Sequence, residues 1–556
     1  MSNNWTPVKA LLDWASQRPD DRFLVQPRDG KVTEYTWRQT CNQARRLAGF
    51  LTQQAYPPGS RIAIISRNCA ESLITDLAVW MAGHISVQIY PSLNADTLRY
   101  ILDHSDTQCL FLGAVEDWGD MQHGVPKSVP VIRFPGAPFE NLSQEYQSLV
   151  DVVAAAQPLE DVAQPRPEDT ARLIYTSGST GKPKGVVVPF AAMDAAKDAL
   201  VEISNATQAD RLISYLPFAH AFESAFVHNS SLRVGCQVFF SEGLATFPAD
   251  LRRASPTIFH SVPRLWIKFQ QAVQNKLSEE KLQSLLADPD TAEPTRLQVL
   301  QQLGLQDTRI ALSGSAPLAG SVIQWYRDLG LELLEGYGMT EDFAYSHITR
   351  PGEVRVGYVG RPLPGVESRI SEEGEIQIRS PGKMAGYYLN DDVTRESFTD
   401  DGWFRTGDLG EFDDHGRLRI SGRLKELFKT SKGKYVAPAP IENQLGHPLI
   451  ESLCVSGANQ TQPCVMMVPN GAAIEELGDK FDKNQLEAEI AQQIENVNAG
   501  LDPHERLAFA VLVAEPWSVV NGMLTPTLKL KRNVIEAHYS DHLDKWYQQG
   551  KAVIWE

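Results

Sequence analysis

Short apolar runs alternate with helix-spaced stretches through the first two-thirds of the chain. RIAIISRN (61–68) reads as a strand ending in polar residues, and ESLITDLAVWMAG (71–83) spaces its apolar positions as a helix does. HISVQIYP (84–91) is strand-like again, ADTLRYILDHS (95–105) returns to the helical period, and TQCLFLG (107–113) closes the series as a strand. A period of two lines one face of a strand and a period near 3.6 lines one face of a helix. Their regular alternation predicts right-handed βαβ units with helices on the faces of a parallel sheet. A second series follows: the strand-like RLISYLP, a helix through SAFVHNSSLRVG, the strand-like CQVFF, and helices flanking PTIFHSVPRLW.

From about 353 the texture changes. GYVGRPLPGVESRISEEGEIQIRSP breaks into short strands separated by Gly and Pro turns, which predicts a small β-barrel or twisted sheet. The last 130 or so residues return to mixed α and β. The strand RLRI runs into a charged segment near Ser421–Arg423, a candidate linker. Residues 275–305 are polar and helical, a surface elaboration. A chain of 556 residues exceeds one compact core and predicts two or more domains.

Composition narrows the function classes. Hydrophobic residues make up 42% and charged residues 22%, the balance of an ordinary globular protein. No stretch approaches the roughly 20 uninterrupted apolar residues of a membrane-spanning helix. MSNNWTPVKALLDWASQRPDD has no basic region followed by an apolar core, so no secretory signal is expected. Cys41, Cys69, Cys109, Cys236, Cys454 and Cys464 show no CxxC and no zinc spacing, which predicts buried free thiols in a reducing cytoplasmic compartment. A net charge of −17 disfavours nucleic acid as a partner. Two basic patches near the carboxyl end nonetheless supply local positive charge: 423–434, with a net of four positive charges, and LKLKR (528–532).

The densest chemistry lies in RLIYTSGSTGKPKG (172–185), where an apolar strand runs into a loop of hydroxyls, glycines and two lysines. Glycine lets backbone amides approach phosphate oxygens, the hydroxyls of Thr176, Ser177, Ser179 and Thr180 donate, and Lys184 adds positive charge. Gly178 and Gly181 are too close for a Walker loop, and the GxSxG of a nucleophile elbow is absent. The segment resembles the phosphate-binding loop of the adenylate-forming superfamily: acyl-CoA synthetases, adenylation domains of peptide synthetases, and luciferases. EGYGMTE (335–341), GYVGRPLPG (357–365), GWFRTGDLG (402–410), GRLKELFKTSKGKYVAPAPIE (422–442) and LTPTLKLKR (524–532) resemble that family's other signatures, in order.

The resemblance implies roles residue by residue. Gly336 and Gly338 let Tyr337 lie flat against adenine, Thr340 contacts phosphate, and Glu341 organises Mg²⁺, a hard cation that takes one or two protein carboxylates and completes its shell with phosphate oxygens. After Glu341 the chain reads Asp-Phe, where the family more often has small polar residues, and after the glycine loop Val188, Pro189 and Phe190 depart from the family pattern. Asp408 accepts both ribose hydroxyls, joined from the linker by Arg423. YLPFAHAFE (215–223) resembles the LPLAHxFE segment of long-chain acyl-CoA synthetases, which places His220 near the carboxylate end of an acyl pocket, with Glu223 as its partner. Gly314, Ser315 and Ala316 form backbone walls around nucleotide and acyl group. Lys529 aligns with the catalytic lysine, an ammonium that stabilises charge developing on phosphorus and carboxylate. Lys425 falls on the hinge.

The fold this implies is α/β: a large amino-terminal domain (1–422) of two βαβ subdomains plus a small β-barrel, followed by a smaller mobile α+β domain (423–556). The activity it implies is activation of a medium- or long-chain fatty acid by ATP and Mg²⁺ to acyl-AMP, followed by transfer to coenzyme A. NADTLRYILDHSD, LPFAHAFE, KYVAPAPIEN and LTPTLKLKR look most like long-chain fatty-acyl-CoA synthetases. Three alternatives stand beside it: a fatty acyl-AMP ligase delivering to a carrier protein, an aryl or other carboxylate–CoA ligase, and an inactive nucleotide-binding regulator. The joint presence of Thr180, Lys184, Glu341, Asp408, Arg423 and Lys529 argues against the last. An amphiphilic substrate is compatible with peripheral membrane contact, though no amphipathic basic helix calls for it.

Overall fold

The structure, a computed structural model, describes residues 5–137, 146–176, 182–525 and 528–556. The chain divides into two compact units. The larger comprises Met1–Ala316, Gly320–Ser368 and Ile378–Phe404; the smaller comprises Pro317–Ala319, Arg369–Gln377 and Arg405–Glu556.

The alternation read in 61–113 is present in the larger unit. Strand Arg61–Ile65 lies between Ile85–Ile89 and Thr107–Leu112, both parallel to it, and helices Ala70–Met81 and Ala95–His104 make the crossovers. Strand Thr170–Thr176 extends the sheet in parallel beside Ile85–Ile89. The chain then turns back, so that Lys184–Pro189 pairs antiparallel with it, and the two-residue strand Gly386–Tyr387 adds the edge. Ala63, Ile65, Val87, Leu110, Leu112 and Leu173 form one face's core with Leu98 and Leu102 of the helix Ala95–His104.

Every side chain of the helix Ala70–Met81 is buried, as for a helix covered all round. Its apolar positions need no more than burial, but Glu71, Thr75 and Asp76 are buried with them and each must find a partner. Glu71 accepts both terminal nitrogens of Arg28 at 3.1 and 3.0 Å, the Thr75 hydroxyl donates to the Glu71 carbonyl at 2.7 Å, and Asp76 accepts from Arg172 at 2.9 Å.

The second series builds a five-stranded sheet in which Ile258–Ser261, Ile310–Gly314 and Leu333–Tyr337 are parallel, while His347–Ile348 and Arg361–Pro362 continue antiparallel. A smaller sheet joins Arg211–Ser214 and Gln237–Phe240 to the amino-terminal hairpin Arg22–Arg28 and Lys31–Thr36. SAFVHNSSLRVG is helical as its pattern predicts, but Ser224–Asn229 is wound as a π-helix before the α-helix Ser230–Val234. The polar elaboration at 275–305 forms the helices Glu279–Ala287 and Pro289–Leu303.

The Gly- and Pro-punctuated stretch gives the strands Glu367–Ile370 and Glu375–Arg379, which join the later strands Phe404–Phe412 and Leu418–Arg423 in a four-stranded sheet. The last of these does not end at RLRI but runs on through Arg423, so Ser421–Arg423 is strand, and the turn Leu424–Glu426 follows it.

The smaller unit's main sheet has the order Ile450–Ser456, Cys464–Pro469, Ala510–Leu512, Val553–Trp555. Strict alternation sorts its side chains. Val455, Val465, Met467 and Leu512 pack with Leu486, Ile490 and Ile494 of the helix Lys483–Asn498. Cys454, Cys464, Met466 and Val511 pack with Ile535, Tyr539 and Trp546 of the helix Arg532–Gln548. All six cysteines of the chain are buried and free. Among the described residues no helix is long and apolar enough to cross a membrane.

Candidate active site

Ser177, Gly178, Ser179 and Thr180 of the glycine loop lie outside the described residues; the residues that frame them do not. Thr176 ends one strand and Lys184 begins the next, and the two are antiparallel register partners. Each lysine of the loop sits against an aromatic face. Lys182 Nζ is 5.4 Å from the Tyr100 ring centroid and Lys184 Nζ is 4.8 Å from that of Tyr387, within the range of a cation–π contact. Tyr100 stacks on His104, whose Nδ1 lies 2.9 Å from the Tyr175 hydroxyl. Desolvation holds His104 below the usual imidazole range, so the neutral ring sets no like charge against Lys182.

EGYGMTE follows the strand Leu333–Tyr337 into the short turn Thr340–Asp342. A Cβ on Gly338 would lie 2.9 Å from the Ala344 Cα, so only glycine fits there. Asp342, the departure noted after Glu341, closes the turn by accepting from the Met339 amide at 2.9 Å. Burial raises its carboxyl to about 7. Phe343 and Ala344 then adopt left-handed backbone at φ 51° and 57°, an unusual pair for residues other than glycine. Thr340 and Glu341 are half-buried. The Glu341 carboxylate accepts from the Tyr387 hydroxyl at 2.8 Å, and its carbonyl accepts from the Met384 amide at 2.7 Å. Beside Glu341 opens a cavity of about 410 Å³ lined by Asp342, Arg379, Lys383, Phe398 and Phe404. Among the described residues no cluster of three or more His, Cys, Asp or Glu is arranged to hold a metal. A lone carboxylate fits a hard cation that is also held by phosphate oxygens and water.

Gly314 ends its strand, its register partner Gly336 stands one residue short of the end of the adjacent parallel strand, and a Cβ on Gly314 would lie 3.5 Å from the Phe222 ring. Ser315 follows at φ 72°, with its hydroxyl 3.4 Å from His220 Nε2; Ala316 is exposed. His220 caps the helix Ala221–Glu223, its Nδ1 accepting from the Phe222 amide at 3.3 Å. Glu223 is not its partner. That carboxylate instead lies 2.9 Å from His260 Nε2 and accepts from Ser214 at 2.7 Å and Asn68 at 3.1 Å, all buried. His220 sits at the cap and Glu223 faces the strand Ile258–Ser261, so three residues of separation do not bring them together. Tyr337 lies 6.2 Å from the His347 ring.

In the smaller unit Asp408 and Arg423 are direct cross-strand partners, and Arg423 Nε donates to Asp408 Oδ1 at 2.9 Å. Asp408 is buried and Arg423 more than half exposed, so the pair fixes the carboxylate while leaving the guanidinium at the surface. Lys425 lies in the turn Leu424–Glu426. Lys529 is exposed on a tight loop before the helix Arg532–Gln548. Its amide donates to the Thr525 hydroxyl at 3.0 Å and its carbonyl accepts from the Thr525 amide at 2.8 Å.

The structure thus gathers Thr176 with Lys184, Gly314 and Ser315 with His220 and Gly336, and Asp408 with Arg423. Sequence reading passes over Tyr387, which touches both Lys184 and Glu341. Two tyrosines after a glycine carry no charge pattern, and only the pairing of Tyr387 with Val186 brings it beside Lys184.

Known proteins match the chain over nearly its whole length. The AMP-binding enzyme family matches residues 11–388, and the AMP-binding enzyme C-terminal domain matches residues 426–551. The chain is 29% identical to a long-chain-fatty-acid–CoA ligase of Mycobacterium bovis, with 97% of each chain covered. It is 30% identical to a peroxisomal long chain acyl-CoA synthetase of Arabidopsis thaliana, covering 94% of this chain and 83% of that one. Among solved structures, an anthranilate CoA ligase in complex with anthranoyl-AMP superposes with a TM-score of 0.80 at 21% identity, covering 97% and 98% of the two chains. The adenylation domain of a carboxylate reductase from Mycobacterium chelonae gives 0.82 at 21% identity, covering 99% and 92%. With both of its domains matched in order along nearly the whole sequence, the chain belongs to the AMP-binding enzyme family.

Proposed function

We propose that the protein activates a medium- or long-chain fatty acid with Mg·ATP and transfers the acyl group to coenzyme A. Likeness to long-chain-fatty-acid–CoA ligases over nearly the full length of both chains is the observation that carries the substrate class. In the first half-reaction a carboxylate oxygen attacks the α-phosphorus and pyrophosphate leaves, giving acyl-AMP. In the second the CoA thiol attacks the acyl carbon, AMP departs and the thiol proton is released. Positioning and charge stabilisation account for most of such catalysis. Lys184 with the glycine loop, including Ser177, Gly178, Ser179 and Thr180, takes the phosphates, and Thr340 adds a contact. Tyr337, between Gly336 and Gly338, receives adenine. Gly314, Ser315, Ala316 and His220 border the reacting carboxylate. Glu341 would hold the magnesium ion, which when bound neutralises phosphate charge. Asp408 and Arg423 take the ribose, Lys529 serves the adenylation step, and a mobile segment beginning at Arg423 turns about Lys425 between the half-reactions.

Pyrophosphate exchange across straight-chain acids of two to twenty carbons, followed by thioester assay with free CoA, tests this reading. Exchange and CoA thioester with the longer acids support it. Preference for benzoates replaces it with an aryl ligase, thioester only on a carrier protein's phosphopantetheine with an acyl-AMP ligase, and no exchange with any acid with a nucleotide-binding regulator.

Asp408→Ala is expected to raise the KM for ATP roughly tenfold, the scale of a charge-assisted hydrogen bond, with the KM for acid and CoA unchanged. The Arg423 side chain it leaves behind is 55% exposed and stays hydrated, so the melting temperature should hold. Steady-state kinetics with ATP as the varied substrate checks it, and an unchanged ATP dependence removes Asp408 from the ribose site.

A further inference from the structure

We propose that Tyr387 is a positioning residue for Mg·ATP, holding the Glu341 carboxylate with its hydroxyl and the Lys184 ammonium on its ring face so that both are aimed before the nucleotide arrives. The inference rests on the reading of Glu341 and Lys184 given above. The phenol lies 2.8 Å from Glu341 Oε1, and among the described residues Oε2 takes no hydrogen bond. One carboxylate oxygen is thereby oriented and the other left for a metal. Lys184 Nζ stands 4.8 Å from the same ring. The π-face attracts the cation without neutralising it, as a carboxylate would. Hydrogen-bond donation to an anion enriches the ring in electron density, so the two contacts reinforce each other.

The backbone ties Tyr387 to both residues independently of its side chain. Its strand pairs with Val186 and Val187, and the Tyr388 amide donates to the Gly185 carbonyl at 2.7 Å, next to Lys184. The Met384 amide donates to the Glu341 carbonyl at 2.7 Å. The Tyr387 amide donates to the Thr394 hydroxyl at 2.9 Å, and Gly386 at φ 154° has no room for a Cβ, which would stand 2.9 Å from the Thr394 methyl. Tyr387 is 8% exposed.

Calorimetric titration of the full chain with ATP, once with Mg²⁺ and once in EDTA, separates the two contacts without turnover. Tyr387→Phe keeps the ring and loses the hydroxyl. It should weaken Mg·ATP binding about three- to tenfold, the range for one lost hydrogen bond to a charged group, and leave metal-free ATP binding unchanged. Tyr387→Leu should weaken both, because Lys184 also loses its ring. Glu341→Gln sets the scale and should weaken Mg·ATP binding alone, with Tyr387→Phe adding nothing in that background. Wild-type Mg·ATP binding by Tyr387→Phe while Glu341→Gln is impaired overturns the proposal, as does equal weakening of both titrations by Tyr387→Phe. Wild-type Mg·ATP binding by Glu341→Gln overturns the magnesium reading itself, and the proposal with it.

Discussion

Asp76→Ala is expected to destabilise the larger unit by about 3–5 kcal/mol, the cost of stranding a buried charge. Asp76, Arg172 and His228 have fully buried side chains. Asp76 Oδ2 accepts from Arg172 Nη2 at 2.9 Å and lies 3.4 Å from His228 Nδ1, while Ser86 donates to Oδ1. The Arg172 guanidinium sits 5.1 Å from the Trp80 ring centroid, and its Nη1 donates to Ser224 of the π-helix. Removing the carboxylate leaves that cation with neutral partners only. Asp76→Leu with Arg172→Met removes both charges, and hydrophobic replacement of a buried pair is often neutral or stabilising. The double variant should therefore recover most of the loss in denaturant unfolding. Equal instability of single and double variants would assign the cost to packing.

The same cluster sets an acid limit on stability. Burial alone would raise Asp76, but Arg172, His228 and Ser86 together outweigh it and hold the carboxyl below its usual range. Its contribution is fully present above the unfolded value of about 3.9 and is lost only as pH falls through the lower folded value. Burial also lowers His228, so the unfolded chain takes up a proton there that the folded chain refuses. That site costs stability as pH falls below about 6.5.

What the sequence displays here is periodicity and local motif; what it hides is register between distant segments. Ala63, Ile65, Val87 and Leu110 reveal their strands because each run is short, apolar and bounded by helical spacing. Nothing along the chain places Tyr387 beside Val186, or His260 rather than His220 against Glu223, because those neighbours come from sheet order. Arg423 reads as linker because charge follows it, whereas pairing with Asp408 keeps it in a strand. The π-helix at Ser224–Asn229 changes the winding by too little to disturb an apolar pattern, yet it carries Ser224 and His228, which meet Arg172 and Asp76. Arg172 begins the sequence motif but is a buried structural cation four residues before Thr176, so charge near a phosphate loop is not by itself a phosphate contact.

Lys529→Ala is expected to slow acyl-AMP formation by roughly 10²–10³-fold, the effect of losing one preorganised group that stabilises developing charge. The local structure makes this a clean substitution. Lys529 is exposed, and hydrogen bonds of its backbone with neighbouring apolar packing hold its main chain in place. Thr525 bonds its amide and its carbonyl, Leu524 bridges to Leu530, and both leucines pack against the core that includes Ile535 and Tyr539. Leu528 holds the left-handed turn at φ 59°. Truncation at Lys529 should therefore leave the melting temperature within about a degree of wild type, in line with other exposed positions. Presynthesised acyl-AMP bypasses the adenylation step, and its conversion to acyl-CoA should stay within several-fold of wild type. Rapid-quench measurement of each half-reaction separates the two. A variant slowed equally in both would make Lys529 a general phosphate-binding charge and would remove the reason to assign it to one of two catalytic poses.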